Sequence, residues 1–487
     1  MFLSFGIVLS ILFSSGQIEN PDTHLRLTQA RIILDGHFGL PIDVGEDMHG
    51  NIAINQNGDR YMVYNPGHTI IFIPIYSLSK LIRLSEGDSY YLSAFFVSFI
   101  NYFIHALCAF FLFRIALLLG AKESNAYLLA ALFGLTSYSF VFAQSTYEHH
   151  FEMLFILMSF YYALKGGSRN YDFKSGLMLS IGLFFRTTTI LAIPSILLMM
   201  KDNKSRIRAL LGMLPGIVFI LFYNYYRFGN PFESGYSFAW SLAHGGEFSY
   251  WSIMNVPTAI LGLLFSPGKG LLIFSTTVLI AMLGAKSFWL KNSSLSYSIL
   301  ALSFLYFAVF AMNFAWHGSI WSFGPRYILP ILPLLYLPAI YLKPSKSILS
   351  LILVFFILQV TIIAVNYKRD VLADFIENND LKDNKYLFSI NKTPYYFQAK
   401  QLLVIAPKNF TGLKDYQPDS PWKKEIRTAS SRDVLDSSIE KNSINFWWVR
   451  VFHWKLSLWE RIISAALFLS GLFGFIALST HVKRKIL

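Results

Sequence analysis

The sequence predicts an all-α polytopic membrane protein, a bundle of about twelve transmembrane helices, and three observations carry that prediction. First, of the 487 residues 54% are hydrophobic and 17% aromatic, but only 14% are charged. A soluble domain carries about 25% charged residues. This chain cannot clothe a water-facing surface, which excludes a soluble enzyme, a disordered chain and a disulfide scaffold. Second, the apolar residues fall in long runs, with a mean hydropathy of +0.46. Third, lysines and arginines cluster in the short connections between runs, where they orient membrane helices rather than bind nucleic acid.

The runs lie at 2–16, 90–113, 126–142, 150–164, 175–187, 188–200, 209–226, 271–288, 295–312, 326–342, 347–366 and 458–480. Several are shorter than the roughly 20 residues that a full crossing needs, and 175–200 also reads as one kinked helix. The first run lacks the basic start and small-residue cleavage site of a signal peptide, so it is expected to stay as an anchor. With twelve crossings, Arg114 and Lys122, then Lys165, Arg169 and Lys174, then Lys201, Lys204, Arg206 and Arg208, and the tail Lys483-Arg484-Lys485 all share one face. That face is expected to be cytoplasmic and to hold both termini. The apolar segment 68–83 is too short to add a crossing and would break the charge pattern; it is expected to lie in the outer interface. Residues 1–366 then form the bundle, 367–456 an outer segment with room for a small α/β subdomain, and 457–487 the last helix and its basic tail. The single cysteine, Cys108, permits no internal disulfide.

Charges within the runs are scarce, which lowers the expectation of an ion or proton pathway. Polar groups gather at the outer ends instead. The first outer loop, 17–67, opens with NPDTHLRLTQARIILDGHF at 20–38. Leu25, Ile32 and Ile33 recur at helical spacing, and Asp22 stands just before them, as either an N-cap or a reactive carboxylate. The loop closes with NGDRYMVYNPGH, whose Tyr61 and Tyr64 suit either a sugar face or the lipid interface, followed by His68. QSTYEHHFE at 144–152 packs Glu148, His149, His150 and Glu152 tightly. A divalent metal is conceivable there, but adjacent histidines on a helix diverge, and hydrogen bonding to substrate is the better expectation. Lys269 and Arg326 are basic residues on the face that the positive-inside rule disfavours, beside Gly and Pro turns, and Arg186 lies in FFRTTTI where the chain turns back at that face. They suit an anion at the outer interface, although Arg186 also fits snorkelling to headgroups.

Taken together, these runs resemble the GT-C superfamily of membrane glycosyltransferases, in particular the family 39 type that includes protein O-mannosyltransferases and lipid A aminoarabinose transferases. The likeness covers most of the chain through about residue 345. NPDTHLRLTQARIILDGHF is similar to the stretch that opens the family's first outer loop, and RYMVYNPGHTIIFIPIY to the stretch that closes it. GNPFESGY, GLLFSPGKG and WHGSIWSFGPRYILP resemble stretches of prokaryotic members. The sequence departs from the family in having Asp22-Thr23 where Asp-Glu is common, and Asn65-Pro66-Gly67 where the aminoarabinose branch has Lys-Pro-Pro.

The resemblance implies a polyprenyl-phosphate sugar donor, a hydroxyl acceptor on a lipid, glycan or protein, and Asp22 as the catalytic aspartate. Arg186, Lys269 and Arg326 are then expected at the donor phosphate, with Tyr61, Tyr64, His68, Glu148, His149 and His150 lining the substrate site. No metal ligand set is expected. Two other classes fit a polytopic basic chain: a lipid or solute transporter, for which inverted hydropathy repeats are missing, and an O-antigen ligase or polymerase, whose key loop would fall late, as 367–456 does.

Overall fold

The computed structural model describes residues 1–42, 44, 51–82, 85–239, 251–318, 322–365, 385–390, 393–411, 444–451 and 458–486. Asp43, Glu46 and Asp47 of the first long loop and most of 367–456 lie outside the described residues.

Among the described residues the chain is helical, with one two-stranded exception. Helices α1 (Phe2–Phe13), α4 (Glu86–Leu118), α5 (Glu123–Thr136) and α7 (His149–Lys165) form the centre of the bundle. Between α1 and α4 come α2 (Pro21–Leu34), a hairpin of β1 (Ile52–Ile54) and β2 (Arg60–Met62), and α3 (Gly67–Leu81). A short α6 (Tyr138–Phe142) continues α5, while α8 (Arg169–Leu183), α9 (Ile193–Met199) and α10 (Asn203–Phe228) complete the first half.

Among the described residues five helices are long and apolar enough to cross a membrane: Gly87–Leu118, Asn203–Phe228, Ser293–Met312, Lys346–Ile363 and Leu458–Ile486. A sixth appears if Glu123–Thr136 and Tyr138–Ser145, bent by 51°, count as one span. The count of twelve expected from the apolar runs is therefore not established. The difference is one of length and continuity: Phe2–Phe13 and Thr187–Met199 are apolar but short. The run at 271–288 is broken into the short helices Leu271–Phe274, Thr277–Met282 and Ala285–Lys291. The run at 326–342 begins as a 3₁₀ helix, Arg326–Ile331, in which Pro330 cannot donate a helical hydrogen bond.

Close approach between elements uses glycine. A Cβ on Gly176 or Gly212 would overlap the facing backbone of α10 or α8, so these small residues let the two helices touch. Gly67 performs the same service for the site. Its N–H donates to Phe184 O at 2.6 Å, and a Cβ there would fall 2.6 Å from the same oxygen. The start of α3 is thereby pinned under the end of α8, with Asn65 Nδ2 donating to Leu183 O at 2.7 Å. α3, expected at 68–83, packs against α2 and α4.

Candidate functional site

The site is assembled where the first turn of α2 meets the turn before α7 and the 3₁₀ helix at Arg326. Asn20, not Asp22, caps α2. Its side chain accepts from Thr23 N–H at 2.8 Å, and Pro21 occupies the first helical position. The Asn20 amide also donates to Thr146 Oγ1 at 3.2 Å and to Ser145 O, while Thr23 Oγ1 donates to Thr146 O at 3.1 Å. Thr146 has φ +57°, a left-handed conformation uncommon for a residue without glycine's freedom. These bonds tie α2 to the segment 144–149. Asn20→Ala is expected to lower stability by about 1 kcal/mol through loss of the cap, read as a drop in the midpoint of thermal unfolding in detergent.

Relieved of capping, Asp22 sits in the first turn with its carboxylate favoured by the helix dipole. Its Oδ2 is 3.9 Å from Arg326 Nη1. The Arg326 guanidinium lies over the Tyr147 ring at 4.9 Å and the Tyr327 ring at 5.0 Å, and Nη2 donates to Tyr327 Oη at 3.3 Å. Gly318, with φ +72°, makes room for it: a Cβ there would come within 2.7 Å of Arg326 Cγ.

Behind Arg326, Lys269 is buried and donates to Ser322 O and, at 3.2 Å, to Ser322 Oγ. Burial and the neighbouring Arg326 both push its ammonium well below the ordinary lysine value. Burial, Lys269 and Arg326 likewise hold His317 down to about 3.

A second charged group adjoins the first. Arg26, one turn beyond Asp22 on α2, pairs through Nη2 with Glu148 Oε2 at 2.9 Å and lies 3.9 Å over the Tyr64 ring. Arg186 pairs through Nη1 with Glu148 Oε1 at 2.6 Å and through Nε with Glu152 Oε2 at 2.9 Å. Glu152 Oε1 accepts from Thr188 Oγ1 at 2.5 Å and Tyr306 Oη at 2.6 Å. Burial alone would raise the Glu148 carboxyl, but Arg26, His149 and Arg186 outweigh it and hold it well below the usual carboxylate range. Burial would lower Arg26, and Glu148, Tyr64 and Asp22 reverse that. Burial and the Asp22 charge raise the Tyr64 hydroxyl well above its ordinary value, against the opposing pull of Arg26.

Exposure divides the charged groups in two. The side chains of Asp22, Arg326 and Arg186 keep 15%, 12% and 14% of their surface, whereas Arg26, Glu148 and Glu152 keep 1%, 6% and 1%. A ligand can touch the first three; the rest hold them in place.

The structure thus brings together Asp22, Tyr64, Glu148, His149, Arg186 and Arg326, with Lys269 behind them. The His149 ring is buried against Phe142, Tyr147 and Tyr327 and stands near Arg186, Glu148 and Arg326. His68 is buried among Phe72, Phe151 and Phe185, beside Arg26 and Glu148.

Two of the expected lining residues face elsewhere. His150 Nε2 bonds Ser139 Oγ at 3.1 Å and Ser139 O at 3.0 Å, in a core network that continues to His105. Consecutive residues on a helix point about 100° apart, so His149 and His150 cannot share one target. Tyr61 packs on Phe38 and Phe228, and the charges acting on it are Asp59 and Arg227. Arg186 does not snorkel; two carboxylates hold it.

Sequence reading passed over Arg26, Tyr147, Tyr327 and Tyr236. Tyr236 lies within reach of the charges of Arg186, Glu148 and Asp22. A basic residue one helical turn after Asp22 was the available signal for Arg26. Among the described residues no group of three or more His, Cys, Asp or Glu is arranged to hold a metal ion. No family model matches the chain, and no curated protein matches it.

Proposed function

We propose that the chain is an integral membrane glycosyltransferase that moves a sugar from a polyprenyl-phosphate donor to an acceptor hydroxyl with inversion at the anomeric carbon. The observation that carries this reading is the Asp22–Arg326 pair: an uncapped, partly exposed carboxylate beside a partly exposed guanidinium, set against buried and mutually paired charges. A general base and an anion-binding group side by side are the two parts that a displacement at a phosphate-linked sugar requires.

In the proposed step the acceptor oxygen forms a bond to the anomeric carbon as the bond from that carbon to the phosphate oxygen breaks. The hydroxyl proton passes to Asp22, and the electron pair leaves with the polyprenyl phosphate. Arg326 and the exposed edge of Arg186 stabilise the charge gained by the leaving group. Lys269 stands beside Arg326, and an anion bound at Arg326 would favour the lysine's charged form against burial and the neighbouring guanidinium. Tyr64, His149 and Tyr236 border the sugar. The apolar helices supply the groove for the lipid chain. The reaction is placed on the outer face of a plasma or inner membrane with both termini cytoplasmic, as the lysine and arginine distribution favours.

The test is incubation of purified protein with a panel of polyprenyl-phosphate hexoses and pentoses, measuring release of polyprenyl phosphate. Release with one member supports the reading; none from a folded preparation across the panel overturns it. Within that assay Arg326→Ala is expected to lower donor kcat/KM by about 10²-fold, and an unchanged value would remove Arg326 from the donor site.

A further inference from the structure

Residues 444–451 return from late in the sequence and close on the two segments that build the site. Helix α1 ends at Phe13, and its last carbonyls need donors from elsewhere. Trp447 Nε1 donates to Ile11 O at 2.6 Å and Trp448 Nε1 to Leu12 O at 2.9 Å. Trp447 N–H donates to Ser14 O at 3.1 Å, and Arg450 Nη1 to Ser15 O at 2.9 Å. The end of α1, and so the start of the segment that carries Asp22, is therefore set by these eight residues rather than by α1 itself.

Asn445 occupies the middle of this contact and is fully buried. Its Nδ2 donates to Glu19 Oε1 at 2.6 Å and to Gln144 Oε1 at 2.9 Å. Its Oδ1 accepts from Arg450, its N–H donates to Ala364 O at 2.8 Å, and its carbonyl accepts from Gln144 Nε2 at 3.0 Å. Both amide hydrogens and the side-chain oxygen are committed, which no other side chain of this size reproduces. Glu19 lies three residues before Asp22, and Gln144 lies four before Glu148. One amide thus bridges the strand of chain bearing the proposed base and the strand bearing the carboxylate that holds Arg26 and Arg186.

We infer that Asn445 is a positioning residue for Asp22, and that the 444–451 segment is a working part of the site although it carries no recognisable motif. The inference rests on the reading of Asp22 as the base. Loss of the bridge leaves 19–23 and 144–149 joined by the Asn20 and Thr23 bonds to Ser145 and Thr146, so the approach of Asp22 is held less firmly, and misplacement of a reacting group by about 1 Å costs roughly 10²-fold in rate.

The test uses the full-length chain in detergent, with Cys108→Ala as background and a soluble maleimide as probe. Asn445→Ala is expected to speed labelling of Asp22→Cys several-fold while leaving the exposed Phe232→Cys unchanged. Glu19→Ala should reproduce the effect. Glu19→Gln, which keeps the accepting oxygen, should not. With Asp22 present, Asn445→Ala should lower kcat for release of polyprenyl phosphate by about 10–100-fold with donor KM within about twofold. Unchanged labelling at position 22, or equal acceleration at 22 and 232, overturns the inference. The labelling comparison needs no donor. An unsubstituted chain that releases no polyprenyl phosphate would therefore count against glycosyl transfer while the role of Asn445 is still decided.

Discussion

Asp22→Asn is expected to abolish glycosyl transfer, lowering turnover by about 10³-fold or more, while the protein inserts and unfolds much as before. An amide of the same shape cannot accept the acceptor's proton, and general-base catalysis of this kind contributes about 10²–10⁴-fold. The stability side of the prediction follows from the cap. Because Asn20 holds the first turn of α2, the substitution leaves the cap in place and removes a helix-dipole interaction, a 3.9 Å ion pair with Arg326 and the attraction of Arg26. For a side chain that keeps 15% of its surface such terms amount to about 1–2 kcal/mol. The two readouts, polyprenyl phosphate release and thermal unfolding in detergent, must separate. Retained turnover would remove Asp22 from the mechanism. A large fall in unfolding temperature would mean that the carboxylate is structural.

Glu148→Ala should produce the opposite pattern, a stability loss of about 3–5 kcal/mol. Its two oxygens are divided between Arg26 at 2.9 Å and Arg186 at 2.6 Å. Removing them strands two guanidinium groups in a place where Arg26 keeps 1% of its side-chain surface. Glu152 retains a claim on Arg186, but no second carboxylate is paired with Arg26 among the described residues. Detergent-solubilised variant and unsubstituted protein would be compared by denaturant or thermal unfolding. A change below about 1 kcal/mol would show that the pair is balanced by its desolvation cost. Loss of activity with Glu148→Ala is not diagnostic by itself, because the same residue holds Arg186 in reach of the proposed donor phosphate.

Much of the architecture was legible in the chain because apolar runs and helical spacing are local properties. The runs read as spans overlap helices among the described residues, though several are shorter or broken, and the helical spacing of Leu25, Ile32 and Ile33 falls within α2. Continuity was less legible. Whether 271–288 forms one helix or three depends on local hydrogen bonding and on the neighbours that accept a break, and hydropathy averages over both.

At the site, residue type and position pointed to Asp22, Arg326, Arg186 and Glu148, which the fold brings together. Asp22 also reads as a cap, but Pro21, favoured at the first helical position, was the available signal for Asn20. His149 and His150 have the same chemistry and adjacent numbers. Only the rotation of α7 sends one toward Arg186 and the other toward Ser139.

The sequence by itself determined the solvent and the kind of element. A chain with 14% charged residues and long runs of apolar side chains suits lipid rather than water, and in lipid the backbone must satisfy its own hydrogen bonds, as a helix does. Tertiary structure alone decided which polar groups meet. Arg26 and Glu148 are 122 residues apart, Asp22 and Arg326 304 apart, and Asn445 and Glu19 426 apart. Pairing over such separations is set by how helices pack and where each one ends, and no local pattern encodes it.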